Sequence, residues 1–168
     1  MSEQDALIYS IATFSLATSL TPGPNNLMLL ASGVNFGFRR SMPHVMGVSL
    51  GFFVMLVAIG FGLNSLFQAV PSIYHVMKVL GFAYLVYLAC GVATSKPLPA
   101  PGQQSGHSSP LSFWGAVAFQ WVNPKAWVMA VTIMSAYVPP GAGLLHIAPL
   151  GLMFAVLGFP CSSVWVGF

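Results

Sequence analysis

The sequence predicts an all-α integral membrane protein, a helical bundle built as an inverted repeat whose first and fourth helices are broken. Three observations predict it. Of 168 residues, 57% are hydrophobic and 4% charged, with a mean hydropathy of +0.83, whereas a soluble domain carries about a quarter charged residues. The run Ala6 to Phe36 is interrupted by Thr21-Pro22-Gly23-Pro24-Asn25-Asn26, where prolines remove backbone donors and disfavour helix just before them. A later apolar run carries Asn123-Pro124-Lys125 at a similar depth.

A helix needs about 20 apolar residues to cross a hydrocarbon core of about 30 Å. The start, MSEQDALIYS, has acids and no positive n-region, so it is not read as a cleavable signal and the first span is expected to be retained. Ala6 to Phe36 exceeds one span, as a broken helix with a half on each side would. Arg39, Arg40, Ser41, Pro43 and His44 are expected to form a short loop. A second span follows over Val45 to Gln68, closed by Asn64, Gln68 and Pro71-Ser72, and a third over Ile73 to Thr94, with Lys78 near its start.

Ser95 to Pro110 (SKPLPAPGQQSGHSSP) is too rich in Pro, Gly, Ser and Gln to bury a core and reads as a flexible linker. The fourth span covers Leu111 to Val138, with Gln120, Asn123, Pro124 and Lys125 near its middle. A turn at Pro139 to Gly143 leads to the fifth, Leu144 to Phe168, which contains Pro149 and Pro160. The expected domains are a first three-helix repeat over 1–94, the linker over 95–110, and a second repeat over 111–168 with two of three helices.

Basic residues on short loops set orientation. Arg39, Arg40 and Lys96 share one side, while Glu3, Asp5 and Lys78 share the other. The loops over 37–44 and 95–110 are therefore expected to be cytoplasmic and the amino terminus outside. Lys78, at a helix end, can snorkel to the interface.

At membrane depth, backbone leaves the helical pattern only against other protein or along a wet cavity, which makes the hexapeptide a candidate transport site. Proline interruptions in corresponding spans of two halves point to a binding site near the midplane. Three spans separate the first break from the second, so the halves enter the bilayer from opposite faces. Broken ends aim dipoles inward: helix amino termini favour a carboxylate and carbonyl ends an ammonium, and an amino acid carries both. The expected substrate and pathway residues are Thr21, Pro22, Gly23, Pro24, Asn25, Asn26, Gln120, Asn123, Pro124 and Lys125.

A lysine at the bilayer centre costs at least about 2.5 kcal/mol and usually serves function. Lys125 is read either as a fixed positive charge or proton-linked switch beside a substrate carboxylate, or as a group bonded to carbonyls freed by Pro124 or snorkelling from a half-helix. Asn25, Asn26, Asn123 and Gln120 can ligate a zwitterion or satisfy unwound backbone. Gly33 with Gly37, and Gly47 with Gly51, are expected to pack helices closely. Met28, Met42, Met46, Met55 and the phenylalanines read as packing or lipid-facing residues, and Tyr74, Trp114 and Tyr137 as interface aromatics. Cys90 and Cys161 read as small buried hydrophobes, and His44, His75, His107 and His146 lie in loops or near span ends, too scattered for a metal or haem pair. No cofactor or metal is expected, and five basic residues are too few for a nucleic-acid face.

Three blocks, Thr21 to Phe52, Lys78 to Ser95 (KVLGFAYLVYLACGVATS) and Phe113 to Trp127 (FWGAVAFQWVNPKAW), resemble the LysE/RhtB family of amino-acid exporters in the expected order. Within it, the TPGPNN form and Phe119-Gln120-Trp121-Val122-Asn123 are most similar to the branch that exports cysteine and O-acetylserine, with homoserine and threonine exporters close by. The resemblance implies no enzyme but a secondary active exporter of small neutral amino acids, driven by protons as an antiporter with alternating access. It implies a bacterial-type inner membrane and six spans arranged as three plus three inverted. A family member continues past Phe168 with a basic loop and a sixth helix, so the chain is expected to be a fragment or shortened product. Expected partners are the amino acid, protons, the lipid bilayer and, as an option, a second copy. Two rival readings are a thiol-disulfide electron carrier, which needs Cys90 and Cys161 to meet, and a non-transporting assembly partner.

Overall fold

The structure is a computed structural model that describes residues 2–63, 79, 109–139 and 142–168. The expected third span, the linker up to residue 108, and with them Cys90, His75, His107, Lys78, Lys96 and Tyr74, lie outside the described residues, as does the end of the second span. Among the described residues the regular structure is entirely helical: α1 (Glu3–Leu20), α2 (Pro24–Phe36), α3 (Phe38–Ala58), α4 (Phe113–Gln120), α5 (Pro124–Tyr137) and α6 (Leu144–Gly167).

Each helix begins where its sequence supplies a start. Ser2 caps α1 in a reciprocal box with Asp5, whose carboxylate accepts from the Ser2 N–H at 2.9 Å. Ser112 Oγ caps α4 by accepting from Gly115 N at 3.0 Å. Pro24 and Pro124 open α2 and α5, where a missing N–H costs nothing and the fixed φ already suits a helix. Among the described residues two helices are long and apolar enough to cross a membrane, Phe38–Gly62 and Leu144–Gly167. Pro149 and Pro160 lie inside α6 without ending it.

The loop expected over Arg39 to His44 is instead the first two turns of α3. Only Gly37 leaves the helix, at φ 77, a left-handed conformation that glycine adopts without strain. Its N–H closes α2 on Gly33 O at 2.8 Å, and its carbonyl accepts from Ser41 N at 3.3 Å as α3 begins. Arg39 and Arg40 stay exposed on that first turn, so charge at the chain's surface needed no loop. Pro43 deprives only the Arg39 carbonyl of its helical partner.

α3 is the central element, packed most extensively on α6 and α4, and also on α2 and α5. Glycine makes the α3–α4 contact possible: a Cβ at Gly47 would stand 2.4 Å from Phe113 O, and one at Gly51 2.8 Å from Val117 Cα. On α2, a Cβ at Gly33 would stand 2.1 Å from Val166 O of α6. Gly37 differs from the packing role expected of it, since among the described residues nothing lies within 4 Å of where its Cβ would be.

Among the described residues two apolar clusters result. The larger joins Ile11 of α1, Phe52, Met55 and Leu56 of α3, Ala126, Trp127, Ala130 and Ile133 of α5, and Phe154 of α6. The smaller joins Leu29, Val45, Val48, Ala116 and Val166. The outer surface is apolar as well, with Trp114, Leu145, Leu152 and Val156 exposed, as suits a face turned to lipid.

Candidate functional site

The two proline breaks meet. α1 stops at Leu20 and α2 starts at Pro24, while α4 stops at Gln120 and α5 starts at Pro124. The caps before the prolines, Gly23 and Asn123, are both extended, the conformation that a following proline favours.

Side chains of the TPGPNN hexapeptide bond the carbonyls at the end of α1. Thr21 Oγ1 donates to Ala17 O at 2.7 Å and to Thr18 O at 2.9 Å. Asn26 Nδ2 donates to Ser19 O and Thr21 O, each at 2.8 Å. At the second break the last turn of α4 tightens, with Trp121 N, Val122 N and Asn123 N bonding to Ala118 O, Phe119 O and Gln120 O. The Trp127 indole donates to Trp121 O at 2.9 Å, and Asn123 Oδ1 caps α5 by accepting from Lys125 N at 3.1 Å.

Two links tie the breaks together. Asn25 Nδ2 donates to Gln120 Oε1 at 2.9 Å, and Gln120 Nε2 donates back to Asn25 Oδ1 at 3.4 Å and to Ala116 O at 3.1 Å. Lys125 Nζ donates to Thr21 O at 2.5 Å. Its stem lies over Gly23, where a Cβ would come within 2.6 Å of Lys125 Cδ. A cation on the carbonyl end of α1 meets the negative pole of that helix.

Around these links lies a cleft of about 560 Å³, its open mouth included, lined by Thr18, Ser19, Gly23, Asn25, Asn26, Ser49, Gln120, Asn123, Lys125 and Ser162 with an apolar floor of Val48, Phe52, Met129 and Phe154. It lies between the two clusters, taking Phe52, Ala126 and Phe154 from one and Val48 from the other. The first-turn N–H groups of Asn25, Asn26 and Ala126 have no acceptor among the described residues. Ser49 Oγ is buried and likewise without a partner among them. The cleft thus offers free amide donors, a lysine and a hydroxyl beside carbonyl oxygens, a set suited to a small molecule with both carboxylate and ammonium.

Of the residues expected at the site, Gly23, Asn25, Asn26, Gln120, Asn123 and Lys125 line the cleft, while Thr21, Pro22, Pro24 and Pro124 shape the breaks. Asn26 and Lys125 are bonded to uncovered backbone, and Asn25 and Gln120 to each other. Sequence reasoning missed the α3 and α6 contributions, Ser49 and Ser162. It also placed His44 in a loop, whereas His44 is fully buried on α3, with Nδ1 3.0 Å from Ser32 Oγ. The missed signal was periodicity: Ser41, His44, Val48, Phe52 and Met55 fall on one helical stripe, and all five are buried.

Residues 16–166 match the family model described as LysE type translocator. The chain belongs to that family. It is 38% identical over 161 residues to proteins named cysteine/O-acetylserine efflux protein from Escherichia coli (strain K12), Shigella flexneri serotype 5b (strain 8401) and Shigella sonnei (strain Ss046), covering 95% of this chain and 80% of each relative. No solved structure matches. As a LysE type translocator this chain is a membrane transport protein rather than an enzyme.

Proposed function

We propose that this translocator exports small neutral amino acids of the cysteine and O-acetylserine class from the cytoplasm across a bacterial inner membrane. One observation carries the assignment of the site: the proline-opened α2 and α5 present their first turns to one cleft, joined by the Asn25–Gln120 amide pair and by Lys125 on the Thr21 carbonyl. A substrate carboxylate bonds the free N–H groups of Asn25, Asn26 and Ala126 and is balanced by Lys125. The substrate ammonium takes the carbonyl end of α1. A side chain as small as that of cysteine or O-acetylserine rests on Phe52, Met129 and Phe154. The printed names of the relatives support that substrate class.

The finer architecture belongs to the same reading. Residues 1–94 and 111–168 form inverted repeats of a three-plus-three bundle, joined by a cytoplasmic linker over 95–110, with the amino terminus outside. The repeats rock about the cleft to give alternating access. Inward movement of protons drives export, as antiport.

The test is counterflow in proteoliposomes holding the purified chain. Preloaded O-acetylserine should accelerate entry of labelled O-acetylserine and cysteine, and lysine or glutamate should not compete. Equal competition by every amino acid would defeat the substrate assignment, and a complete lack of exchange, for O-acetylserine and cysteine included, would defeat the export reading.

A further inference from the structure

The proposed antiport needs a group that takes up and releases a proton, and the described helices contain acids only at Glu3 and Asp5, at the start of α1. We infer that His44 is the proton-carrying residue of this translocator, held by Ser32 on the seam between α2 and α3, one helical turn from the cleft. The inference rests on the proton-driven reading above.

Position comes first. Along α3, Arg40 is exposed and Val48 lines the cleft. His44 lies midway, about 6 Å of helix rise from each. From Ser41 to Ala58 it is the one titratable side chain on α3. The neighbouring Pro43 leaves the Arg39 carbonyl without its helical N–H, so the surface end of this route is polar backbone.

Surroundings come next. The His44 side chain is fully buried, and among the described residues Nε2 has no hydrogen-bond partner, although Nδ1 is 3.0 Å from Ser32 Oγ. A buried polar atom left unpaired costs about 1–3 kcal/mol, which a packing residue alone would not require. With Nδ1–H donating to Ser32, the bare Nε2 can accept a proton. The charged and titratable groups on packed elements, among the described residues, are few. α2 and α4 carry none, α5 carries Lys125 and Tyr137, and α6 carries His146 at its far end and Cys161 near Val166. α1 carries Glu3, Asp5 and Tyr9, and α3 itself carries Arg39 and Arg40. Among the described residues no carboxylate lies on α2, α4, α5 or α6, so none of these four helices offers the ring a fixed anionic partner.

The cycle balances as one proton inward for one amino acid outward. Nε2 takes a proton from outside water while the outer route is open. After the halves rock, the same N–H bond breaks to cytoplasmic water, and no electrons are exchanged.

The experiment compares wild type, His44→Gln and Ser32→Ala as full chains in proteoliposomes, by O-acetylserine counterflow at equal pH and by accumulation under a pH gradient. At one proton per substrate, a gradient of one unit supports about tenfold accumulation in wild type. H44Q should keep counterflow within about twofold and lose gradient-driven accumulation, with a flat pH profile. S32A should keep coupling but move the midpoint of its pH profile, because the bond that seats the ring is lost. Gradient-driven accumulation surviving in H44Q overturns the inference. So does loss of counterflow and accumulation together in H44Q that elutes as a folded protein, which would make His44 a packing residue. If H44Q does not fold, S32A decides, and an unmoved midpoint overturns it. Wild type that exchanges but ignores the gradient removes proton drive and this inference together, and wild type that does not exchange removes the export reading itself.

Discussion

Asn25 and Gln120 hold one another across the two breaks, Asn25 Nδ2 donating to Gln120 Oε1 at 2.9 Å and Gln120 Nε2 returning a bond at 3.4 Å. Gln120 is fully buried and its partner half-buried, so neither amide can be removed without stranding the other. Asn25→Ala and Gln120→Ala should each lower stability by about 1–3 kcal/mol. The double variant should cost less than the sum by about 1 kcal/mol. Thermal unfolding in detergent of the four proteins measures the cycle, and strict additivity would show that the pair does not couple the breaks.

Lys125 should matter more for transport than for stability. Lys125→Ala is expected to reduce O-acetylserine counterflow at least about tenfold, the loss of one charge-assisted bond in a shielded site. Gly23→Ala tests the same contact from the other side. Gly23 has φ −171, extended backbone that alanine adopts freely, yet its Cβ would fall 2.6 Å from Lys125 Cδ. G23A should therefore push the lysine aside and impair counterflow in the same direction as K125A, with little change in melting temperature. Normal counterflow in G23A would separate the lysine's placement from transport.

The glycines divide by mechanism. Gly33→Ala and Gly47→Ala would drive a methyl into backbone carbonyls of Val166 and Phe113, so helices must part, an overpacking cost of about 1–3 kcal/mol. Gly37→Ala meets no atom among the described residues and is penalised by its φ of 77 and ψ of 167, a conformation open essentially to glycine, by about 1–3 kcal/mol. Detergent melting curves should fall for all three variants, G37A through backbone strain and G33A and G47A through overpacking, and an unchanged curve for any one would remove its stated mechanism.

Asn123→Ala removes the cap of α5, an acceptor 3.1 Å from Lys125 N, and should cost about 1 kcal/mol. Asn123→Asp keeps the acceptor and should retain most of that stability, read from the same curves.

Both breaks were legible in the sequence because proline states its constraint locally. Pro24 and Pro124 each open a helix, and the residues before them are pushed to extended backbone. The stretch Arg39 to His44 was misread for the complementary reason. Polar residues signal contact with water or with each other, and that is met as well by an exposed helical turn for Arg39 and Arg40, or by a buried partner for His44, as by a loop. The glycine at 37 carried the true boundary. Ser49 and Ser162 were illegible because they reach the cleft only through the α3–α6 packing, which no local spacing reveals. Lys125 was recognised as unusual, but that its target is the Thr21 carbonyl depends on a contact between residues 104 apart.

If the cargo binds as proposed, that contact also sets the order of events in the transport cycle. With the Lys125 ammonium already seated on the Thr21 oxygen, an amino acid reaches that oxygen by trading places with the lysine, one cation for another. The displaced side chain is then loose beside the newcomer's carboxylate, so docking of the cargo itself unfastens the clasp between the two broken helices.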